Sequence, residues 1–337
     1  MGAIIKRVLF ALVALALVLW LMPSPEPVPP VREDRMALGT LVTIKLYGDE
    51  NKIRPLFAGA YAEFERVDSL MSRYRTDGDV ARIESAELGR VVACSPELLQ
   101  VLQRSLYWAR ESAGAFDPTI GALTRLWDFP DVEVAPDSAS IVAALAQVGY
   151  RALHIEDGGA RLGRAGIHLD LGAAAKGFAV DRAVAYLQAA GAEAGLIEAG
   201  GDIRYWGEKP DGSVWRFGVQ HPRNPQKYFE VEDIGIVAIA TSGDYEQYFE
   251  QDGMRYHHIL DPASGWPAVG TISATIWAQT AMDADILATA VFVLGPERGL
   301  ELAEQWPEVE ALIFTEGTDG LQSRATSGIQ SRFRFVE

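Results

Sequence analysis

Asp285 and Thr289 stand four residues apart in an otherwise apolar run, Ala281-Met282-Asp283-Ala284-Asp285-Ile286-Leu287-Ala288-Thr289-Ala290-Val291-Phe292. On a helix that spacing sets a carboxylate and a hydroxyl on one face. A lone buried carboxylate costs on the order of several kcal/mol unless it is protonated, paired or bound to a metal. Two hard oxygens on one face make half a shell for a cation such as magnesium. The same pair also fits a solvent-facing aspartate beside a threonine bonded back to its own helix. Asp283 is the rival carboxylate, but the residue four positions on is Leu287.

A second stretch lies about a hundred residues earlier: Ile167-His168-Leu169-Asp170-Leu171-Gly172-Ala173-Ala174-Ala175-Lys176-Gly177-Phe178-Ala179-Val180-Asp181. It reads as a strand, a turn of small residues and a helix start. Gly172 and three alanines leave the helix N-terminus bare, and free N–H groups with the helix dipole suit a phosphate there. Lys176 adds a positive charge one turn in, or lies on a solvated helix face. Asp170 either serves this site or simply caps the helix. The turns at Gly200-Gly201 and Ser242-Gly243 allow backbone to approach a ligand, or are merely tight. His257 and His258 are neighbours on an expected strand, so they point to opposite faces and at most one serves a given site. Tyr74, Phe116 and Ile259 suit the faces of an aromatic ring and suit a core equally well.

Composition bounds these readings. The chain has 337 residues, 49% of them apolar, enough for one large domain or two moderate ones. Net charge is −16 with no long basic stretch, which argues against nucleic acid as a partner. Cys94 is the one cysteine, so there is no internal disulfide and no multi-cysteine metal site. Lys6-Arg7 precede an apolar run over residues 8–22, and Pro23-Ser24-Pro25-Glu26-Pro27-Val28-Pro29-Pro30 follows. The run is short against the about 20 residues of a full span. A secretory signal or an uncleaved anchor at 1–22 is expected, then a stiff proline-rich linker at 23–33. The body, 34–337, is then expected to be exported, on the periplasmic side of the inner membrane.

The elements that must position these residues can be read in order. Alternating β-formers predict a strand over 36–47, and apolar spacing a helix over 51–75. Ser95-Pro96-Glu97 opens a helix that runs to about Ala113 and stops at Gly114. Glycines and a proline make 114–121 a loop. A short helix is expected over 138–148, a hairpin around Asp157-Gly158-Gly159, and a helix over 173–190 stopped by Gly191. Further strands are expected at 195–199, 237–241, 254–260, 271–278 and 310–315, with a hairpin over 203–220 around Pro210-Asp211-Gly212. Helices are expected through the Asp285 run to Leu294 and over 296–305. Mixed helices and hairpins without strict alternation favour α+β over a doubly wound sheet.

Several of these segments match, in order and spacing, those of a known family. They are Met71-Ser72-Arg73-Tyr74, the stretch Gly114-Ala115-Phe116-Asp117-Pro118-Thr119-Ile120-Gly121, and Asp170-Leu171-Gly172-Ala173-Ala174-Ala175-Lys176-Gly177. Gly200-Gly201-Asp202-Ile203-Arg204, Ala240-Thr241-Ser242-Gly243-Asp244-Tyr245, His258-Ile259-Leu260-Asp261-Pro262 and the Asp285 run complete the set. From about Met36 to the last strands the chain resembles the ApbE family, the FAD:protein FMN transferases.

The resemblance implies a T-fold-related α+β body in two subdomains with an FAD cleft between them. FAD is the implied substrate, with Mg2+ at its diphosphate. The implied metal ligands are Asp285, Thr289 and the backbone carbonyl of Ala173. The implied FAD contacts are Leu38, Tyr74, Ala115, Phe116, Asp117, Asp170, Lys176 and Ile259. His258, not His257, matches the position near the flavin, and either His258 or a carboxylate near the metal is the implied base. The implied partner is a flavoprotein subunit of a respiratory (Nqr/Rnf-type) complex, flavinylated on a threonine or serine. With water as acceptor the same residues give an FAD diphosphatase, and without turnover an exported FAD-binding protein.

Overall fold

The computed structural model describes residues 28–129, 131–318 and 320–336. The expected signal or anchor at 1–22 lies outside the described residues, as does the first part of the linker. Among the described residues no helix is long and apolar enough to cross a membrane.

The strand expected over 36–47 is instead a hairpin. Leu38 and Gly39 adopt positive φ, 50° and 74°. β1 (Val31–Ala37) therefore folds back onto β2 (Thr40–Tyr47), and it starts inside the stretch read as linker. β3 (Val92–Ala93), β4 (Leu153–Glu156) and β5 (Gly159–Leu162) form a small sheet whose hairpin turns at Asp157-Gly158 as expected. β6 (Ala194–Ala199) and β7 (Asp202–Trp206) are joined by Gly200-Gly201. β8 (Arg216–Gln220) and β9 (Tyr228–Glu232) pair with each other, so the hairpin expected over 203–220 does not exist. Gly207, at φ 69°, turns the chain out of one sheet, and the segment around Pro210-Asp211-Gly212 crosses to another.

β10 (Ala238–Gly243), β11 (Tyr248–Gln251), β12 (Met254–His257), β13 (Ser273–Ala278), β14 (Glu310–Gly317), β15 (Gly320–Ala325) and β16 (Phe333–Val336) complete the strands. The main sheet runs β1-β2-β6-β7-β10-β13-β14-β15. Every neighbouring pair in it is antiparallel. This is the α+β architecture expected.

The helices follow their local signals, with exceptions that have physical reasons. Ser95 Oγ accepts from Leu98 N–H at 3.2 Å and opens the helix Pro96–Glu111. The helix expected over 51–75 is split into Glu50–Ile53 and Leu56–Met71, because Pro55 interrupts it. The loop over 114–121 ends in a helix the sequence did not announce, Gly121–Trp127. Gly172–Ala189 lies within one residue of expectation at each end. The two helices expected after residue 280 lie within the span Ala281–Ala303 and part as expected at Gly295, where φ is 80° and ψ 176°.

Period-2 patterning explains how the sheet is covered. Ala238, Ala240, Ala274, Ile276, Ala278, Ala311 and Ile313 face the helical layer and join its core. The alternate residues Ile239, Trp277, Leu312 and Phe314 face a second core beneath β8, β9 and β16. Five of the seven helix-facing residues are alanines, which lets Gly172–Ala189 and Ala281–Ala303 approach the sheet closely. A third core gathers Leu123, Trp127, Ile141, Phe249 and Leu260.

Candidate functional site

The two helices that carry the candidate residues touch at Gly177. A Cβ built there would lie 2.2 Å from the Ala281 carbonyl oxygen, so only glycine allows this approach. The contact sets Asp285, one turn into its helix, against Lys176 and Gly177. Lys176 Nζ donates to Asp285 Oδ1 at 3.1 Å and to Asp202 Oδ2 at 2.9 Å. Gly177 N–H donates to Asp285 Oδ2 at 3.2 Å. Asp285 is 4% exposed and Asp202 2%. This geometry rules out the solvent-facing reading of Asp285 and the solvated-face reading of Lys176.

The electrostatics are unbalanced in an informative way. Burial disfavours the Lys176 ammonium, but the carboxylates of Asp202 and Asp285 override this and hold its pKa above the usual lysine value. Burial and then the Asp285 charge push the Asp202 carboxyl well above the carboxylate range. Two buried carboxylates share one ammonium, so the cluster favours a further cation. Thr289 lies one turn beyond Asp285, with its Oγ1 3.4 Å from Ser242 Oγ at the end of β10. Ala173 has non-helical φ/ψ (−91°, 23°), and Gly177 N–H, the usual partner of its carbonyl, donates to Asp285. Asp285, Thr289 and the Ala173 carbonyl thus offer hard oxygens of the kind magnesium takes. Among the described residues no group of three His, Cys, Asp or Glu side chains is placed to hold a metal. Magnesium commonly needs only one or two carboxylates, with waters and substrate phosphates completing the shell.

Asp283, the rival, is occupied elsewhere. Thr280 Oγ1 donates to Asp283 Oδ2 at 2.7 Å and accepts from Asp283 N–H at 3.1 Å, a reciprocal cap. Trp108 Nε1 donates to Asp283 Oδ1 at 2.7 Å, and Arg104 pairs with the same oxygen.

The helix N-terminus at Gly172 is less bare than its sequence suggests. Gly172 N–H donates to Asp170 Oδ1 at 2.9 Å, while Ala174 and Ala175 N–H turn back to the Leu171 carbonyl. Asp170 also accepts from Thr124 Oγ1 at 2.7 Å and lies 3.5 Å from Arg73 Nε. The Arg73 guanidinium sits 4.5 Å from the centre of the Tyr74 ring, which is 75% exposed. Asp170 and Tyr74 are therefore gathered around Arg73.

The remaining candidates are placed as follows. Leu38 sits at the β1–β2 turn beside Thr40, whose Oγ1 a Cβ on Gly200 would meet at 2.5 Å. Phe116 is buried and Ala115 half-buried. Both Asp117 oxygens are engaged: Oδ1 accepts from Thr119 N–H and Oγ1, and Oδ2 from Tyr150 N–H. None of the hydrogen bonds or ion pairs of the described residues links Leu38, Ala115, Phe116, Asp117 or Ile259 to the Asp285 cluster.

The two histidines separate clearly. His257, buried at the end of β12, bonds the Ala268 carbonyl through Nε2 at 2.9 Å and takes Ile259 N–H on Nδ1. Both its nitrogens are committed to the fold. His258 lies beyond the strand end, with Nδ1 3.3 Å from the Gln247 carbonyl. With Nδ1–H donating there, Nε2 keeps its lone pair for a proton. Burial pushes the His258 pKa down to about 4, so the imidazole is neutral at physiological pH. Its unfolded value near 6.5 is the higher one, so the unfolded chain binds the proton first as pH falls. Stability is therefore expected to fall between pH 6.5 and about 4, and His258→Gln to flatten part of that fall in thermal melts. Equal slopes in the two proteins would contradict this. His257, lowered by burial as well, adds to that slope.

Asp202 and Arg73 were not read as site residues from the sequence, although both lie within matched segments. A carboxylate directly after a Gly-Gly turn was the available signal for Asp202. Its pairing with Lys176 is tertiary and has no local mark.

Known proteins are similar to this chain over most of its length. The model of the ApbE family matches residues 38–313, a span that holds every candidate residue named above. An FAD:protein FMN transferase of Treponema pallidum is 34% identical, over 90% of this chain and 88% of that protein. One of Vibrio cholerae is 35% identical, over 95% and 97%. The crystal structure of the ApbE protein from Thermotoga maritima superposes with a TM-score of 0.81 at 32% identity, covering 90% of this chain and 99% of that one. With the family model matching residues 38–313 and the fold superposing over 90% of its length, the chain belongs to the ApbE family.

Proposed function

We propose that this protein transfers FMN from FAD to a threonine or serine hydroxyl of an acceptor flavoprotein, releasing AMP, with magnesium at the diphosphate. The observation that carries the reading is the buried Asp285–Lys176–Asp202 cluster with Thr289 on the same helix face. The names of the relatives supply the reaction class.

In the reaction the acceptor oxygen attacks the FMN-side phosphorus. One P–O bond forms, the P–O bond to AMP breaks, and the hydroxyl proton must leave. Asp285, Thr289 and the Ala173 carbonyl would hold the metal, which when bound neutralises the diphosphate and the departing oxygen. Lys176, kept protonated by its two carboxylates, presents a fixed positive charge toward phosphate oxygens. Arg73 places a second cation beside Tyr74 and the start of the Lys176 helix. His258 Nε2, neutral and unprotonated, accepts the proton of the attacking hydroxyl. The apolar run at 8–22 and the prolines after it support an exported body, held at or released from the periplasmic face of the membrane. Acceptor domains of respiratory complexes exposed on that side are the partners this location suits.

The metal requirement is testable directly. Treatment with EDTA should stop AMP release from FAD in the presence of an acceptor domain, and added Mg2+ should restore it. Full turnover in excess EDTA would remove the metal from the account.

A further inference from the structure

The N-terminus of Ala281–Ala303 is closed by a residue of another helix. The first four N–H groups of a helix lack partners within it. Here Thr280 is the N-cap: its Oγ1 accepts from Asp283 N–H, and its carbonyl takes the first regular helical bond, from Ala284 N–H. The two N–H groups between go to Asp181, whose Oδ1 accepts from Ala281 N–H at 2.9 Å and Oδ2 from Met282 N–H at 3.0 Å. Arg204 also pairs with Asp181 Oδ1, and the Asp181 side chain is 15% exposed.

The position of this contact gives it meaning. Asp181 lies four residues beyond Gly177, hence one turn along the same helix face. Gly177 is where the two helices meet, and its own N–H holds Asp285. Arg204 lies two residues beyond Asp202 on β7, so its side chain leaves the same face of the strand. Helix Gly172–Ala189, helix Ala281–Ala303 and strand β7 carry Lys176, Asp285 and Asp202 respectively, and all three meet again at Asp181. A slip of Ala281–Ala303 by a single residue would carry Asp285 and Thr289 about 1.5 Å along the helix axis.

We infer that Asp181, seconded by Arg204, is a positioning residue: a brace that fixes the height of the Asp285 helix and so the spacing of the metal-binding oxygens. The inference rests on the metal reading above. Partners that orient metal ligands are commonly worth about 10–100-fold in metal affinity or activity.

The test is Mn2+ binding to the full purified chain, followed by the paramagnetic signal of free Mn2+, beside thermal melts and FAD turnover. Asp181→Asn preserves shape but removes one of the two acceptors. It is expected to weaken Mn2+ binding about 10-fold, with turnover partly recovered at saturating metal. Arg204→Gln, which leaves both acceptors on Asp181, should show a smaller shift in the same direction. Val184→Ala truncates a core side chain on the same helix and should lower the melting temperature without moving Mn2+ affinity. If Asp181→Asn binds Mn2+ like the wild type, or if Val184→Ala weakens binding equally, the brace is refuted. Asp285→Asn keeps the two ideas apart. Wild-type binding that is lost in Asp285→Asn but intact in Asp181→Asn refutes the brace alone. Failure of the wild type to bind Mn2+ refutes the metal reading and the brace with it.

Discussion

Asp285→Asn is expected to lower FAD turnover by at least roughly 1,000-fold, about 4 kcal/mol of barrier, while leaving FAD bound. Asparagine keeps the size and one carbonyl oxygen but removes the charge that a cation at this position answers. Stability should move the other way or not at all. Two buried carboxylates now share the single Lys176 ammonium, and Asp285 is part of what pushes the Asp202 carboxyl upward. Removing one negative charge leaves a balanced Lys176–Asp202 pair. A variant that is dead but as stable as the wild type, or more so, identifies strain held for function. A variant that turns over normally would show that the surplus charge serves another purpose.

Gly177→Ala is the second large effect, and its sign distinguishes packing from propensity. In an exposed helix interior this change stabilises by about 1 kcal/mol. Here the new Cβ would lie 2.2 Å from the Ala281 oxygen, 2.5 Å from its carbon and 2.7 Å from Met282 N. All three are backbone atoms and cannot rotate away, so the helices must part. Chemical denaturation should show a loss of about 3 kcal/mol or more. Turnover of the folded fraction should fall as well, because Gly177 N–H and Lys176 hold Asp285 across the same junction. An unchanged or raised melting temperature would mean that the helices do not meet as closely as described.

Local signals carried much of this fold. Ser95-Pro96-Glu97 announced its helix, and Gly191 closed the helix bearing Lys176. Spacing alone set Asp285 apart from Asp283, whose residue four positions on is Leu287, and the structure shows Asp283 engaged by Thr280, Trp108 and Arg104. What failed had the opposite character. Pro210-Asp211-Gly212 is a genuine turn signal, yet pairing is decided by which strands meet, and β8 meets β9 rather than β7. Leu38 was read as a strand residue because a leucine at positive φ has no local mark. The bare helix start at Gly172 proved to be served by Asp170 and the Leu171 carbonyl. Asp202 and Asp181 escaped notice for a common reason. Asp202 pairs with Lys176, 26 residues away along the chain, and Asp181 with Ala281, 100 residues away.

The most direct test of the central claim is to incubate the purified chain with FAD, Mg2+ and an acceptor domain bearing a threonine flavinylation motif, then weigh the acceptor. The account predicts an acceptor heavier by one FMN unit, AMP in equal amount, and neither product with Asp285→Asn. AMP and free FMN beside an unmodified acceptor would make water the acceptor and the protein a diphosphatase. Intact FAD held in a stable complex would contradict the account outright.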